Sequence, residues 1–522
     1  MTAGAPHSGP TQTTSPGALA ALTLLLLATV AGWYWIADLS SQFIWGERHS
    51  ERPILTVMAA LGFQWLIWAI IVWIISTQNT KTQSCAAFAC CVAGLVSQFF
   101  FLNTNPILEH DGYRYLHDGG TLSEGVSPYC YSPAEIESKS AHSAPALQTL
   151  SERFRSDPAA QRNLERVGYP DIKTIYPPAA QFVFWSAYKI GGFSWTGLRL
   201  IFVPAYAVGI LLTFAALRTQ PGAQVRLALL SLCPLTIKEI GSSAHVDAML
   251  VLYFGALLYQ LSRHERIAPH VLALSSGVVM ALAIATKFFP IIALPLVAAW
   301  FYSRISVRAA IIMLVSTFAF TAATYLPFLA MGERNFFSAL GPFNNTWLRN
   351  PSVFGILNWS ATAVFGDTPV SCSFIPGGTG PLGTVVAKLI AHVLLIAAIV
   401  VCTLRVLRNA RISDPVELVS QNASLLFIAW FLLLPMAFPW YLLSALPFLA
   451  CARFGLVPWF LIASVSVFYY GDFYLDANDL SERWTATLLR VEYGLPLVAA
   501  LIIWTRRNIY RWLALVSGGA AR

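Results

Sequence analysis

Apolar runs of roughly membrane-spanning length recur from near the N-terminus to residue 505, and this repetition constrains the fold more than any other feature. A helix crossing a bilayer needs about 20 apolar residues, because each residue rises about 1.5 Å and the hydrocarbon core is about 30 Å thick. Candidate runs are 18–37, 53–76, 83–102, 195–217, 224–240, 246–262, 269–287, 288–303, 308–330, 382–405, 420–436, 440–453, 456–471 and 488–505. Several are short and closely abutted, so the expected number of transmembrane helices is about 11–14. The fold class is therefore an all-α polytopic membrane protein, since helices satisfy their own backbone groups in lipid. Composition agrees: 57% of the 522 residues are hydrophobic and 11% charged, where soluble proteins carry about a quarter charged residues.

The net charge of +8 does not point to nucleic acid, because the basic residues sit mostly in short connections between apolar runs. Arg218 and Arg226, Arg263 and Arg266, Arg304 and Arg308, Arg405 to Arg411, and Arg506 and Arg507 are placed in this way. The positive-inside rule puts these connections in the cytoplasm. The long loops 103–194 and 331–381 then lie on the extracytoplasmic side. The run 18–37 lacks a basic leader and a small-residue cleavage site, so it reads as a retained helix. The organisation expected is a disordered cytoplasmic tail (1–17), two N-terminal transmembrane helices (18–82), a transmembrane core (83–505) and a basic cytoplasmic tail (506–522). Most of the 8 cysteines lie within apolar runs. Cys130 and Cys372 share the outer side, as a disulfide or as two free thiols.

Loop 103–194 is too long for a mere connector. Its middle, 143–167, alternates charged and apolar residues at helical spacing and predicts a surface helix. The Pro-led aromatic stretch that follows Pro177-Pro178 predicts a helix lying on the membrane interface; an additional spanning helix is the alternative, and would reverse the orientation of 195–217.

Polar chemistry collects on the outer side. Glu109, His110, Asp111, Arg114, Tyr115 and Asp118 follow the run ending at 102. Lys238-Glu239 ends one run, His245 and Asp247 open the next, and Lys287 ends another. No Cys/His metal spacing is present, and Asp111 and Asp118 with Arg114 between them do not make a cation cage. No metal site is evident and no cofactor is expected, with metal assistance as the alternative.

These residues sit in motifs. DGYRYLHDGG (111–120) and GVSPYCYSP (125–133) resemble the pattern D-x-Y-R-Y-x-W-D-G … G-x-x-P-Y-x-Y-x-P of bacterial multi-spanning glycosyltransferases of the GT-C fold, which use polyprenyl-phosphate sugars. Tyr176-Pro177-Pro178, Glu239 to Asp247, Thr286 to Pro290 and Pro439-Trp440-Tyr441 continue the match in order. The chain is also similar to mannosyltransferases of that superfamily. Two departures stand out: His117 replaces the usual Trp, and Ser127 the usual small residue, which bears on sugar or acceptor preference. The resemblance needs 83–102 as its first helix and leaves 18–82 outside its core.

The resemblance implies a bacterial inner-membrane enzyme that moves one hexose, mannose favoured, from a polyprenyl-phosphate donor to an extracytoplasmic or lipid-linked acceptor, with inversion. Asp111 matches the family's general base, a task that needs a carboxylate within hydrogen-bond reach of the acceptor hydroxyl; a capping role is the plainer account, and Glu109 is a second candidate. Arg114, Lys287 and His245 are candidates for the donor phosphate. Arg114 pairing with Asp118, Lys287 snorkelling to the interface and His245 belonging to a cap are the structural alternatives. Tyr115, Asp118, Tyr176, Glu239, Asp247, Trp347 and Trp440 are candidates for sugar or acceptor contacts, against an ion pair for Lys238–Glu239 and an interfacial belt for the aromatics. Two rival functions fit the same membrane placement: a flippase or transporter for a lipid-linked saccharide, and a polysaccharide polymerase or ligase. A transporter places ionisable groups near the midplane and often carries an inverted repeat; here the ionisable groups gather at one face and no repeat is visible.

Overall fold

The structure, a computed structural model, describes residues 16–138, 144–341, 348–372, 378–453 and 455–518. Trp347 lies outside the described residues, as do residues 1–15 and 519–522 of the two tails. Three helices open the chain: α1 (Pro16–Leu39), α2 (Ile54–Ser76) and α3 (Thr80–Phe99). The first long loop then holds α4 (Asp111–Ser123), α5 (Pro133–Ser138), α6 (Pro145–Ser156), α7 (Pro158–Leu164) and α8 (Pro178–Gly191). Next come α9 (Trp195–Leu217), α10 (Ala223–Ser231), α11 (Ala248–Ser262), α12 (Pro269–Thr286) and α13 (Val307–Ala330). The C-terminal part contains α14 (Val353–Phe365), α15 (Leu382–Asn409), α16 (Pro415–Leu433), α17 (Val457–Phe468), α18 (Gly471–Ala477) and α19 (Ser481–Gly518). A two-stranded antiparallel ribbon, Pro369–Ser371 with Thr379–Pro381, precedes α15.

Among the described residues nine helices are long and apolar enough to cross a membrane: α1, α2, α3, α9, α12, α13, α15, α16 and α19. Four shorter apolar helical segments accompany them, Ala248–Ser262, Phe289–Ile305, Val353–Phe365 and Pro439–Cys451. Long apolar side chains such as Trp73 (67% exposed) and Trp359 (74%) face outward, as lipid contact requires. The chain is an all-α polytopic membrane protein.

The long helices number fewer than the apolar runs because several runs break. In 224–240, α10 stops before Pro234, which cannot continue a helix. The backbone then widens into a π-turn over Ile237–Ser242, so Lys238 and Glu239 sit on irregular backbone inside the bundle. The 143–167 helix is real but split, with Asp157 capping α7 through the Ala159 amide (2.8 Å) ahead of Pro158. Loop 331–381 differs from expectation by containing α14, whose 13 residues are too few to register as a span.

The first two helices are not an appendage. Trp65 donates its indole N–H to Ser466 Oγ (2.7 Å) and Trp68 donates to the Leu229 carbonyl (3.0 Å), so α2 is bonded to α17 and α10. Elsewhere small residues permit close approach: a side chain at Gly255 of α11 would collide with the Gly209 carbonyl of α9.

One end of the bundle gathers the basic turns. Arg304 donates to the Arg411 carbonyl (2.6 Å), Arg411 returns a bond to the Ser303 carbonyl (3.1 Å), and Gln220 donates to Asp414 (3.2 Å). The turn after α9 therefore shares this end with the turns around 304 and 411. Helix α12 starts beside it and ends at Thr286, 18 residues on, or about 27 Å away. Lys287 therefore sits at the opposite end.

Candidate functional site

A cavity of about 700 Å³ opens where α4, the ends of α12 and α16, and the turn 435–441 converge. Its polar end is formed by the first turn of α4. Glu109 Oε1 accepts the amides of His110 (2.7 Å) and Asp111 (2.8 Å), supplying acceptors that a helix start otherwise lacks. This fixes Asp111 at the helix N-terminus, where a negative charge is favoured. The rest of α4 is buried against α8, and the Gly119 of the DGG triplet is needed because a Cβ there would strike the Phe184 carbonyl.

Packing along the helix, not the helical period, divides the motif, since positions 111, 114, 115 and 118 share one face of α4. Asp111 and Arg114, three apart, line the cavity. Tyr115 and Asp118 turn away into the protein, both essentially unexposed. Asp118 accepts from Gln181 (3.2 Å) and forms no ion pair with Arg114 among those observed. Burial pushes its carboxyl up to about 6 against the pull of Arg114. Arg114 instead donates to the Gly168 (3.1 Å) and Tyr169 (2.9 Å) carbonyls. His117 is packed edge-on against Phe154 (5.2 Å), and burial lowers it to about 3, so it is a neutral core residue. The expected effect of His117 on sugar or acceptor choice has no contact to act through. Ser127 is likewise buried, its hydroxyl accepting from the Tyr129 amide (3.3 Å).

Behind the cavity wall lies a closed set of charges. His245 Nε2 is 3.0 Å from Glu109 Oε2 and 3.3 Å from Glu239 Oε2, with no exposure. Glu239 also takes the Tyr470 hydroxyl and lies 3.9 Å from Lys238. Lys238 in turn donates to Ser243 (2.7 Å). Burial alone would lower His245, but the two carboxylates outweigh it and hold it up at about 9. The reciprocal attraction lowers Glu109 against the effect of its burial. As an imidazolium held by Glu109 and Glu239 and lying 3.9 Å from Asp111, His245 is a poor phosphate ligand, and it is not part of the cavity lining. Glu109, Glu239 and His245 do offer ligand atoms within 4.8 Å of one another. A metal would have to displace the His245 proton and compete with Lys238 and Tyr470, so this donor set fits an ion-pair network better than a metal centre.

Asp111 differs from its neighbours. Its side chain is 27% exposed, and Tyr176 donates to it (3.2 Å). Burial first, then the Glu109 charge, raises its carboxyl above the usual aspartate range, against His110, His245 and Lys287. Lys287 donates to Asp247 (2.6 Å) and lies over the Tyr441 ring (4.9 Å).

The structure thus gathers Glu109, Asp111, Arg114, Tyr176, Lys287 and Trp440 on the cavity wall, with Tyr115, Asp118, Glu239, His245 and Asp247 behind it. Direct sugar contact by those last residues is not what their burial provides. Trp440 already stacks on His245 (4.1 Å) and Phe438 (4.6 Å), so its ring is engaged. Cys130 and Cys372 are free. The wall also carries Lys173, Arg349, Lys388 and His392. Arg349 pairs with Asp472 (2.9 Å). Lys388 and His392 interrupt the apolar run 382–405, and an ionisable pair inside a span is a signal the sequence did offer.

Residues 14–152, about a quarter of the chain, match the model of the MptA_B family, described as alpha-(1->6)-mannopyranosyltransferase, N-terminal domain. The chain is a membrane glycosyltransferase. The matched segment of this mannosyltransferase family includes α1 and α2 and runs through the Asp111 turn, in keeping with the bonding of α2 into the bundle. No curated protein and no solved structure matches the glycosyltransferase.

Proposed function

We propose that the protein transfers a single mannose from a polyprenyl-phosphate donor to an extracytoplasmic or lipid-linked acceptor, with inversion at the anomeric carbon and Asp111 as general base. The observation that carries this reading is the unequal commitment of two neighbouring carboxylates. Glu109 is held by two amides and by the His245 ring at 3.0 Å, whereas Asp111 accepts one tyrosine hydroxyl, stands 3.9 Å from that ring and is much the more exposed of the two on the cavity wall. They are the only acidic residues on the described wall.

One available carboxylate suits a single displacement. A double displacement would need a second one placed as nucleophile. The acceptor hydroxyl gives its proton to an Asp111 oxygen as it attacks the anomeric carbon, and the bond to the phosphate oxygen breaks. The polyprenyl phosphate leaves with an added negative charge, which Arg114 and Lys287 stabilise more in the transition state than in the ground state. Inversion to the alpha product named for the family implies a beta-linked donor.

The basic end of the bundle fits the cytoplasmic side, which puts the cavity at the outer face of a bacterial inner membrane. At 14 residues, or about 21 Å, α8 is short for a span and suits the interfacial role. The test is a transfer assay with purified protein and a short-chain polyprenyl-phosphate mannose, before and after Asp111→Asn. Loss of transfer with the fold intact is expected. Retained transfer, or lipid movement across the bilayer without bond cleavage, overturns the reading.

A further inference from the structure

Resting on that reading, we propose that Glu492 of α19 is a positioning residue of the transfer site: through Asn350 it fixes the turn 435–441, which forms one side of the cavity. An acid inside a spanning helix is costly to keep and marks a function. Glu492 lies near the middle of the span Ser481–Thr505, whose side chains mostly face outward. It is 1% exposed, and Pro496, one turn on, is the other buried residue of α19 among those described. The Glu492 carbonyl takes the Ser464 hydroxyl of α17 (2.5 Å), so the backbone already ties the two helices. An apolar side chain would serve the same packing without burying an ionisable group. The carboxylate is spent on a loop instead: Glu492 Oε1 accepts from Asn350 Nδ2 (2.8 Å).

Asn350 joins the helix to the turn. Its Nδ2 also donates to the Ala437 carbonyl (3.0 Å), and its own carbonyl accepts the Tyr493 hydroxyl (3.1 Å). Its backbone is left-handed (φ 52°), a conformation that asparagine adopts more readily than most residues. Beside it, Arg349 bonds to the turn in both directions. Its amide donates to the Pro435 carbonyl (3.0 Å), and its carbonyl accepts the Ala437 amide (3.1 Å). The same turn carries Trp440, stacked on His245, and Tyr441, under the Lys287 ammonium. Arg349, Met436, Phe438, Trp440 and Tyr441 all line the cavity, and Glu492 does not. Glu492 therefore acts at one remove. Its bond to Asn350 sets where the aromatic wall and Lys287 stand against the leaving phosphate.

The test compares Glu492→Leu, which removes the acceptor, with Glu492→Gln, which keeps an oxygen for Asn350. In steady-state transfer with short-chain polyprenyl-phosphate mannose, Glu492→Leu is expected to lower kcat by about tenfold or more, as misplaced reacting groups do, with the donor KM held within about twofold. Glu492→Gln keeps both within about threefold because the hydrogen bond survives. Asn350→Gly keeps the left-handed backbone and deletes the side chain. Its loss is expected to match or exceed that of Glu492→Leu, and the double variant to lose no more than Asn350→Gly alone, because the two residues act through one contact. Unchanged kcat in Glu492→Leu, an equal loss in Glu492→Gln, or losses that add in the double variant overturn the proposal.

Hydrogen exchange gives a readout that needs no transfer. In Glu492→Leu the amides between 436 and 441 are expected to exchange faster while those of α17 keep the wild-type rate, and Glu492→Gln is expected to leave both unchanged. Faster exchange along α17 and α19 with the turn unaffected would make Glu492 a packing residue and overturn the proposal. A turn loosened by Glu492→Leu in a protein that transfers no mannose would remove the assigned reaction and leave the link between α19 and the turn standing.

Discussion

Two charged regions sit back to back at the end of this bundle opposite the basic turns, built from the same residue types and arranged for opposite ends. Behind the wall, His245, Glu239, Lys238 and Tyr470 satisfy one another, all but unexposed, and His245 reaches forward to Glu109 on the wall. On the wall, Asp111, Arg114 and Lys287 keep part of their capacity turned to the cavity. A buried charge without a partner is costly, so the rear set is fixed by its pairing. A partly exposed carboxylate whose proton affinity is raised can exchange a proton with a ligand. The rear region holds the frame, and through Glu109's two amide bonds it helps hold Asp111 in place; on the proposed reading the front region does the chemistry.

The sharpest way to break this division is to neutralise one carboxylate on each side. Asp111→Asn is expected to lower kcat/KM by about 10²–10⁴, the range for a general base, while the unfolding temperature in detergent stays within a few degrees. Glu239→Gln is expected to do the reverse first. It strands part of the charge on His245 and Lys238 and costs about 3–5 kcal/mol, the range for breaking a buried pair, read as a lowered midpoint of thermal unfolding. Its activity falls only as far as the folded population does. If Glu239→Gln were stable and inactive, the rear set would belong to the chemistry.

The two regions also separate by pH. The folded-state value of His245 is raised from 6.5 to about 9. Its stabilisation is complete below about 6.5 and is lost as pH rises through about 9. Thermal stability should therefore decline between about pH 7 and 9.5 in the wild type and decline less steeply there in His245→Gln, followed by circular dichroism. Activity has its own limb. As the proposed base Asp111 must be a carboxylate, so kcat/KM is expected to fall on acidification, at a pH above the ordinary aspartate range because its carboxyl is raised. In Glu109→Gln the neighbouring negative charge is gone, and that limb moves to lower pH.

The division was only half legible in the sequence. The bundle was legible because lipid imposes a length and an apolar composition on each span. The polar stretch was legible because ionisable residues followed an apolar run, and the order of the motifs pointed to their chemistry. What the chain did not declare was which way each motif residue faces. Asp111 and Asp118 look alike in DGYRYLHD, yet seven residues at 3.6 per turn bring both to one side of α4, and only the packing of α8 at Gly119 decides that Asp118 is covered. His245 read as a phosphate ligand because the two acids that enclose it lie 136 residues before and six residues before it in the chain. Lys388 and His392 were passed over because the run around them is otherwise uniformly apolar.

The smallest test probes the joint between the regions. The Tyr176 hydroxyl is 3.2 Å from Asp111 Oδ2 and 3.3 Å from the Tyr115 hydroxyl, which is buried. It thus connects the working carboxylate to the packed interior. Tyr176→Phe keeps the ring and its edge-on contacts with Tyr115 (5.1 Å) and Phe184 (5.4 Å) and deletes one neutral donor. That is worth about 0.5–1.5 kcal/mol, a loss of about two- to twelvefold in kcat/KM with unfolding temperature little changed. A loss as large as that of Asp111→Asn would mean that the tyrosine proton moves during transfer. The working region would then begin one layer deeper than the cavity wall, and the line between frame and chemistry would have to be redrawn through the Tyr115–Tyr176 pair.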